Sequence, residues 1–131
     1  MKGQYQVIIP VNVKPHPDKF EEMVARVLAE KFQSNVMFIA RGSNHTPDIQ
    51  IVDTAEYWEI KNIRGNSKKT IEDNLRKASK QANNVVISLL RSKMTSSQAS
   101  SRINYYLNHA HGNIKHVILV TKKGKTIDFH A

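Results

Sequence analysis

Two carboxylates and an amine stand at spacings suited to phosphodiester chemistry. Asp48 sits in the segment Thr46-Pro47-Asp48-Ile49-Gln50-Ile51, and Tyr57-Trp58-Glu59-Ile60-Lys61-Asn62-Ile63 follows, with ten residues between Asp48 and Glu59. Glu59 and Lys61 are two apart in a stretch of strand character, so they share a face, while Trp58 and Ile60 point the other way. If the two segments pair as a hairpin, Asp48 comes close to Glu59 or Lys61. Two carboxylates converging on one point form a hard-oxygen site for Mg²⁺ or Mn²⁺. Such a cation polarises a phosphoryl oxygen and lowers the pKa of a bound water. A lysine beside it can orient that water and stabilise charge on the attacked phosphate. The backbone carbonyl of Ile60 could supply a further oxygen ligand. An isolated Glu-x-Lys is common by chance and is usually a solvent-facing ladder pair. The Pro-Asp upstream and the strand context are what raise this one above that background.

The elements that must position these groups follow from periodicity. Tyr5 to Val13 is rich in Val and Ile but broken by Pro10, which predicts an edge strand or extended arm. Asp18 is the expected N-cap of an amphipathic helix over 20–32. Residues 35–40 read as a strand. Residues 48–52 and 57–63 read as two more, joined by the short polar turn 53–56, which predicts an antiparallel hairpin. A helix is expected over 70–83, a buried strand over 84–90, a helix over 96–109 and strands over 114–120 and 126–129. The apolar runs NVVISLL and HVILV predict strands covered on both faces. The class is α/β, with a mixed central sheet flanked by helices.

Around the central triplet stand weaker candidates. On the first helix, at about 100° per residue, Glu21 falls inside the apolar stripe and Glu22 faces water. A carboxylate there is costly without a partner, so Glu21 either reaches the metal or runs along the stripe edge to solvent. On the second helix Thr70, Asn74, Lys77 and Gln81 form a polar line beside the apolar Ile71, Leu75, Ala78 and Ala82. That line either faces phosphate or is a solvated flank. The loop 64–69, with Ser67, Lys68 and Lys69, offers cations, small side chains and backbone N–H groups suited to phosphate. The expected substrate-binding set is therefore Ser67, Lys68, Lys69, Thr70, Lys77 and Gln81. Of six histidines, His109 and His111 at a helix end favour capping or phosphate contact over zinc. His45 is a weak candidate near the site, and His16, His116 and His130 have no evident partner. Tyr5, Tyr57, Trp58, Tyr105 and Tyr106 default to core.

The 131 residues suit one domain spanning 1–131. Twenty Lys and Arg against eleven Asp and Glu give a net charge of +9, the footprint of a protein that meets polyphosphate or an acidic partner. The lysines and arginines at 68, 69, 76, 80, 91, 93, 122, 123 and 125 supply the expected basic surface. There is no cysteine, which excludes disulfides, thiolate nucleophiles and Cys-ligated zinc. No apolar run approaches the length of a bilayer span and no signal-peptide core opens the chain, so no membrane association is expected.

The pattern PD-x(10)-E-x-K resembles the PD-(D/E)xK nuclease superfamily. That resemblance implies an αβββαβ core, here Phe20 to Leu90, with a C-terminal αββ extension. It implies metal ligation by Asp48 and Glu59, a catalytic role for Lys61, and Glu21 as the further acidic ligand on the first helix. The runs Ser67-Lys68-Lys69-Thr70-Ile71, Lys77 to Ile87 (KASKQANNVVI), Ile114 to Val120 and Lys123-Gly124-Lys125-Thr126-Ile127 are similar to the C-terminal tRNA-nuclease domain of CdiA-type contact-dependent growth inhibition toxins. This closer resemblance implies divalent-metal-dependent cleavage of tRNA, with Mg²⁺ ahead of Mn²⁺ or Zn²⁺, in the cytoplasm of a target bacterial cell. It also implies a cognate immunity protein, expected to be acidic. Those toxins are tails of very large secreted proteins, whereas this chain begins with Met, so an excised domain, a free-standing relative or a mobile-element version is expected. The residues themselves do not read a 2′-hydroxyl, which leaves a DNA endonuclease, or a non-catalytic nucleic-acid-binding module, as the alternatives.

Overall fold

Asp18 starts the first helix as its sequence position requires. Its carboxylate accepts from the Glu21 N–H at 2.8 Å, and the Glu21 side chain accepts from the Asp18 N–H at 3.0 Å, a reciprocal capping box. Helix α1 then runs Lys19–Phe32 and ends at Gln33, which adopts a left-handed conformation. The computed structural model describes residues 4–42, 46–110 and 112–131. Among these, seven strands form one mixed sheet whose spatial order follows the chain: β1 (Val7–Ile8), β2 (Val36–Phe38), β3 (Ile49–Ile51), β4 (Glu56–Asn62), β5 (Asn84–Ser88), β6 (His116–Val120) and β7 (Thr126–His130). Two further helices complete it, α2 (Thr70–Ala78) and α3 (Ser96–His109). The expected α/β class, with a mixed sheet between helices, is what the protein adopts.

Chain connections explain the mixture. β1 and β2 are parallel, β2, β3 and β4 form an antiparallel meander, β4, β5 and β6 are parallel, and β7 returns antiparallel to β6. Parallel neighbours need a crossover, and α1, α2 and α3 supply the three. The helices divide between the faces. Val24, Ala25, Leu28 and Ala29 of α1 pack with Ile49, Ile51, Trp58, Ile60, Val86 and Ile118. On the other face Ile71, Leu75 and Ala78 of α2 and Ala99, Ile103 and Tyr106 of α3 pack with Ile63, Val85, Ile87, Val117 and Leu119. β5 and β6 are thus buried on both sides, as their apolar runs predicted. No helix among the described residues is long and apolar enough to cross a membrane.

Two boundaries differ most from the sequence reading. β1 keeps two residues because Pro10 has no N–H to continue a ladder. α2 ends at Ala78 rather than at residue 83. There the Ser79 hydroxyl donates to the Arg76 carbonyl at 2.7 Å, and Lys80 and Gln81 make tight i→i−3 bonds to Lys77 and Ala78. A side chain competing for the helix carbonyls is what stops it. The aromatic defaults also split: Trp58 is fully buried and Tyr106 nearly so, but Tyr57 and Tyr105 are about half exposed.

α3 begins with a second capping box, in which the Thr95 hydroxyl accepts from the Gln98 N–H at 3.1 Å and the Gln98 side chain from the Thr95 N–H. Thr95→Ala removes the cap without touching the rest of the helix. We expect a loss of about 1 kcal/mol of stability by urea denaturation; an unchanged midpoint would show that the cap contributes nothing.

Candidate active site

The β3–β4 hairpin brings the predicted acids together, and Asp48 is its fixed point. Its backbone bonds both neighbours, the N–H donating to the Trp58 carbonyl at 3.1 Å and the C=O accepting from the Ile39 N–H at 3.0 Å. Its side chain does the same work again: Oδ2 accepts from the Ile60 N–H at 2.8 Å and Oδ1 from the Arg41 guanidinium at 3.3 Å. Asp48 is therefore buried, at 7% exposure, at the mouth of the hairpin. A strand residue directs its N–H and C=O to the same side, so the Ile60 carbonyl also points toward the Asp48 strand. Pro47, next in line there, has no N–H to offer it.

Glu59 lies alongside. It alternates with Ile63, whose side chain belongs to the α2–α3 core, so Glu59 and Lys61 face that side of the sheet. Glu59 is 3% exposed. Its Oε2 pairs with the Lys61 ammonium at 3.2 Å, but its Oε1 is buried with no hydrogen-bond donor. Burial first, and then the adjacent Asp48 carboxylate, push the Glu59 pKa up to about 8, against the opposing pull of Lys61. A buried acid beside a second acid, with one oxygen unpartnered, is a cluster of hard oxygen donors. A hard divalent ion held by Asp48 and Glu59 fits it in charge and in ligand type.

Glu21 comes to the edge of this cluster from the α1 side. One of its oxygens is occupied by the capping box and the other lies 4.0 Å from Arg41. Burial raises its pKa, helped by the charges of Asp48 and Asp18 and opposed by the Asp18 backbone bond and by Arg41. Glu21, Asp48 and Glu59 do not form a trio of ligand atoms within 4.8 Å of one another; among the described residues the trio that does is His116, Asp128 and His130. Arg41 is the site residue that sequence reasoning missed. What places it is the pairing of β2 with β3, which the sequence does not spell out: Ile39 bonds to Asp48, so Arg41, two residues on, shares its side.

The expected substrate-binding residues divide. Ser67 and Thr70 hydroxyls bond each other at 3.0 Å at the start of α2, beneath Gly65, where a Cβ would meet the Thr70 hydroxyl at 2.7 Å. Lys68, Lys69 and Lys77 are exposed. Gln81 lies past the end of α2, in the turn, so the polar line does not extend to it, and Asn74 within the line spends its amide on the Thr70 carbonyl. His109 donates to the Tyr105 carbonyl at 2.9 Å, the capping role its position predicted. His116 and His130 do have partners, contrary to expectation: the β6–β7 register sets them opposite each other, and His116 bonds Asp128 at 2.7 Å. His45 and His111 lie outside the described residues.

The raised Glu59 pKa has a sign that can be checked. Between about pH 4.5 and about pH 8 the unfolded chain has released this proton and the folded chain still holds it, so stability falls as pH rises through that window. Below it the penalty vanishes. In EDTA, Glu59→Gln should melt several degrees above the unaltered protein at pH 8, with the gap closing toward pH 4.5. A gap that stays constant with pH would contradict the burial of an ionisable pair.

Comparison with known proteins adds identity to this geometry. A search among curated proteins gave no match. A chain of a solved CdiA-CT/CdiI toxin and immunity complex from Burkholderia pseudomallei superposes with a TM-score of 0.65, over 96% of this chain and 99% of that one, at 17% identity. At that identity the likeness is one of fold. The model of the contact-dependent growth inhibition CdiA C-terminal domain matches residues 45–126, which contain Asp48, Glu59 and Lys61. The chain belongs to the CdiA C-terminal toxin domain family.

Proposed function

We propose that residues 1–131 form a single PD-(D/E)xK-type nuclease domain that cleaves tRNA with a divalent cation, Mg²⁺ first. The observation that carries this reading is the buried Glu59, its Oε1 unpartnered beside Asp48 and its Oε2 held by Lys61. Asp48 and Glu59 are the ligands, with the Ile60 carbonyl as a third oxygen; Glu21 acts from the rim, through water and through Arg41. The ion, when bound, supplies a polarised phosphoryl oxygen and a water of lowered pKa.

The chain's own groups do the rest. The Ile60 N–H and Arg41 fix the Asp48 carboxylate, so its lone pairs are oriented before any ligand arrives. A cation held there would oppose both the burial and the Asp48 charge that raise the Glu59 pKa, and so would favour its ionised form. Lys61 is then placed to hold the attacking water and to stabilise charge on the phosphate. Lys68, Lys69 and Lys77, exposed and basic, and the Ser67 and Thr70 hydroxyls at the α2 start bind backbone phosphates. Gln81, in the turn beyond α2, contacts substrate from the opposite end of that helix. The net charge of +9 draws a polyanion to this surface.

The family, and the toxin and immunity complex that shares the fold, support a biological setting as well. The domain is carried by a larger protein to a target bacterium and acts in its cytoplasm, and a cognate immunity protein, acidic to match the basic surface, blocks it.

Purified protein with Mg²⁺ should cut total tRNA and leave plasmid DNA intact, and EDTA should stop the reaction. Asp48→Ala, Glu59→Gln and Lys61→Ala should each lower the cleavage rate by at least about 10²-fold while tRNA binding in a filter assay stays within a few-fold. Full activity in Asp48→Ala would remove the catalytic assignment; cleavage of plasmid alone would move the substrate to DNA.

A further inference from the structure

A second cluster of metal-ligating side chains lies on the opposite face of the sheet and takes no part in the proposed chemistry. His116 on β6 stands directly opposite His130 on β7, and Asp128 is two residues before His130, so all three share one face. Ile118 and Val120, alternating with His116, belong to the α1-side core, which puts the trio on the α1 side, away from Glu59 and Lys61. Each of the three offers a ligand atom, and these atoms lie within 4.8 Å of one another. The His116 Nε2 and Asp128 Oδ1 are already 2.7 Å apart, and the two imidazoles stack at 4.2 Å.

The surroundings are built around this trio. Asp128 is held by its other oxygen, Oδ2, to the Lys31 ammonium of α1 at 2.7 Å, and Lys31 also reaches the Thr126 hydroxyl at 3.3 Å. A ligating carboxylate is typically oriented by such an outer hydrogen bond. The His116 ring packs against buried Trp58 in a T-shaped pair, at 4.9 Å between centroids. His130 and Asp128 are exposed, so an ion can arrive from solvent and the fourth position stays open to water.

We infer that His116, Asp128 and His130 bind a transition-metal dication of the Zn²⁺ class, a site separate from the one at Asp48 and Glu59. Two imidazoles and one carboxylate are a ligand set that zinc accepts and that Mg²⁺ does not favour. Tetrahedral zinc with bonds of about 2.0–2.1 Å holds its ligand atoms roughly 3.3 Å apart. His116 Nε2 and Asp128 Oδ1, hydrogen-bonded at 2.7 Å, move apart by roughly half an ångström as the ion takes the place of the proton between them, which leaves to solvent, and the exposed His130 ring closes the remainder by rotating about its side-chain bonds. The bound ion ties β6 to β7, and through Asp128 and Lys31 it ties the C-terminal hairpin to α1. Its role is to clamp the fold.

The test removes the other site first. The double variant Asp48→Asn/Glu59→Gln, stripped with EDTA and dialysed free of it, is titrated with Zn²⁺ by calorimetry and melted with and without the ion. We expect one Zn²⁺ per chain and a raised Tm. Adding His130→Ala, an exposed substitution that spares the core, should weaken binding by more than about ten-fold and abolish the Tm rise. Co²⁺ in place of Zn²⁺ should give intense visible bands of a tetrahedral site, lost with Asp128→Asn. His130→Ala alone should leave tRNA cleavage unchanged. No Zn²⁺ uptake by the double variant, or equal uptake after His130→Ala, overturns the inference, whichever way the cleavage assay falls.

Discussion

The hydrogen bond from the Ile60 N–H to the Asp48 carboxylate ties the site to the fold. It satisfies the Ile60 N–H with a side chain at the point where β3 begins, just beyond the ladder pair Ile49–Trp58. The side chain thus finishes the hairpin that its own backbone begins at Trp58 and Ile39. Moving this carboxylate would unpair the mouth of the sheet, and moving the sheet would displace the carboxylate. A buried acid held this firmly cannot turn away when its neighbour Glu59 is brought up beside it.

That neighbour is the cost. Two carboxylates taken out of water repel each other, and a single lysine reaches only one oxygen of Glu59. The remaining groups respond in graded fashion. Glu59 keeps its proton well into the neutral range, Arg41 leans on Asp48, and Glu21 stays at the rim with its own pKa raised. The rest of the protein offsets this strain with two apolar cores, one on each face, anchored by buried residues such as Leu28 and Trp58 on one side and Leu75 and Ile103 on the other. Fully burying one such side chain is worth about 1.5–3 kcal/mol, so the site draws on a fold with stability in reserve.

What could be read from the sequence and what could not divide along a physical line. Local signals were sufficient where local forces decide. Asp18 marks a helix start because its side chain caps within four residues, and α3 runs over its predicted span. NVVIS and HVILV predicted burial on both faces because a two-sided strand has no polar alternation. The meeting of Asp48 with Glu59 followed from strand parity plus a short turn. The failures lie where register or competing hydrogen bonds decide. Ser79 turning back on Arg76 ended α2 early and removed Gln81 from the helix. Arg41 and the trio of His116, Asp128 and His130 are set by cross-strand pairing, and the one-dimensional text carries no mark of it. Tyr57 reads as core by type, yet it stands at the start of β4, beside the turn, and is half exposed.

The most direct measurement is crystallography of the protein soaked in Mn²⁺, using the anomalous signal of the metal. The expected result is a peak within about 2.0–2.4 Å of one oxygen each from Asp48 and Glu59 and of the Ile60 carbonyl, with Lys61 still beside Glu59. Well-ordered, Mn²⁺-loaded crystals in which these two acids hold no ion, and Glu59 stays paired with Lys61 alone, would contradict the account at its centre.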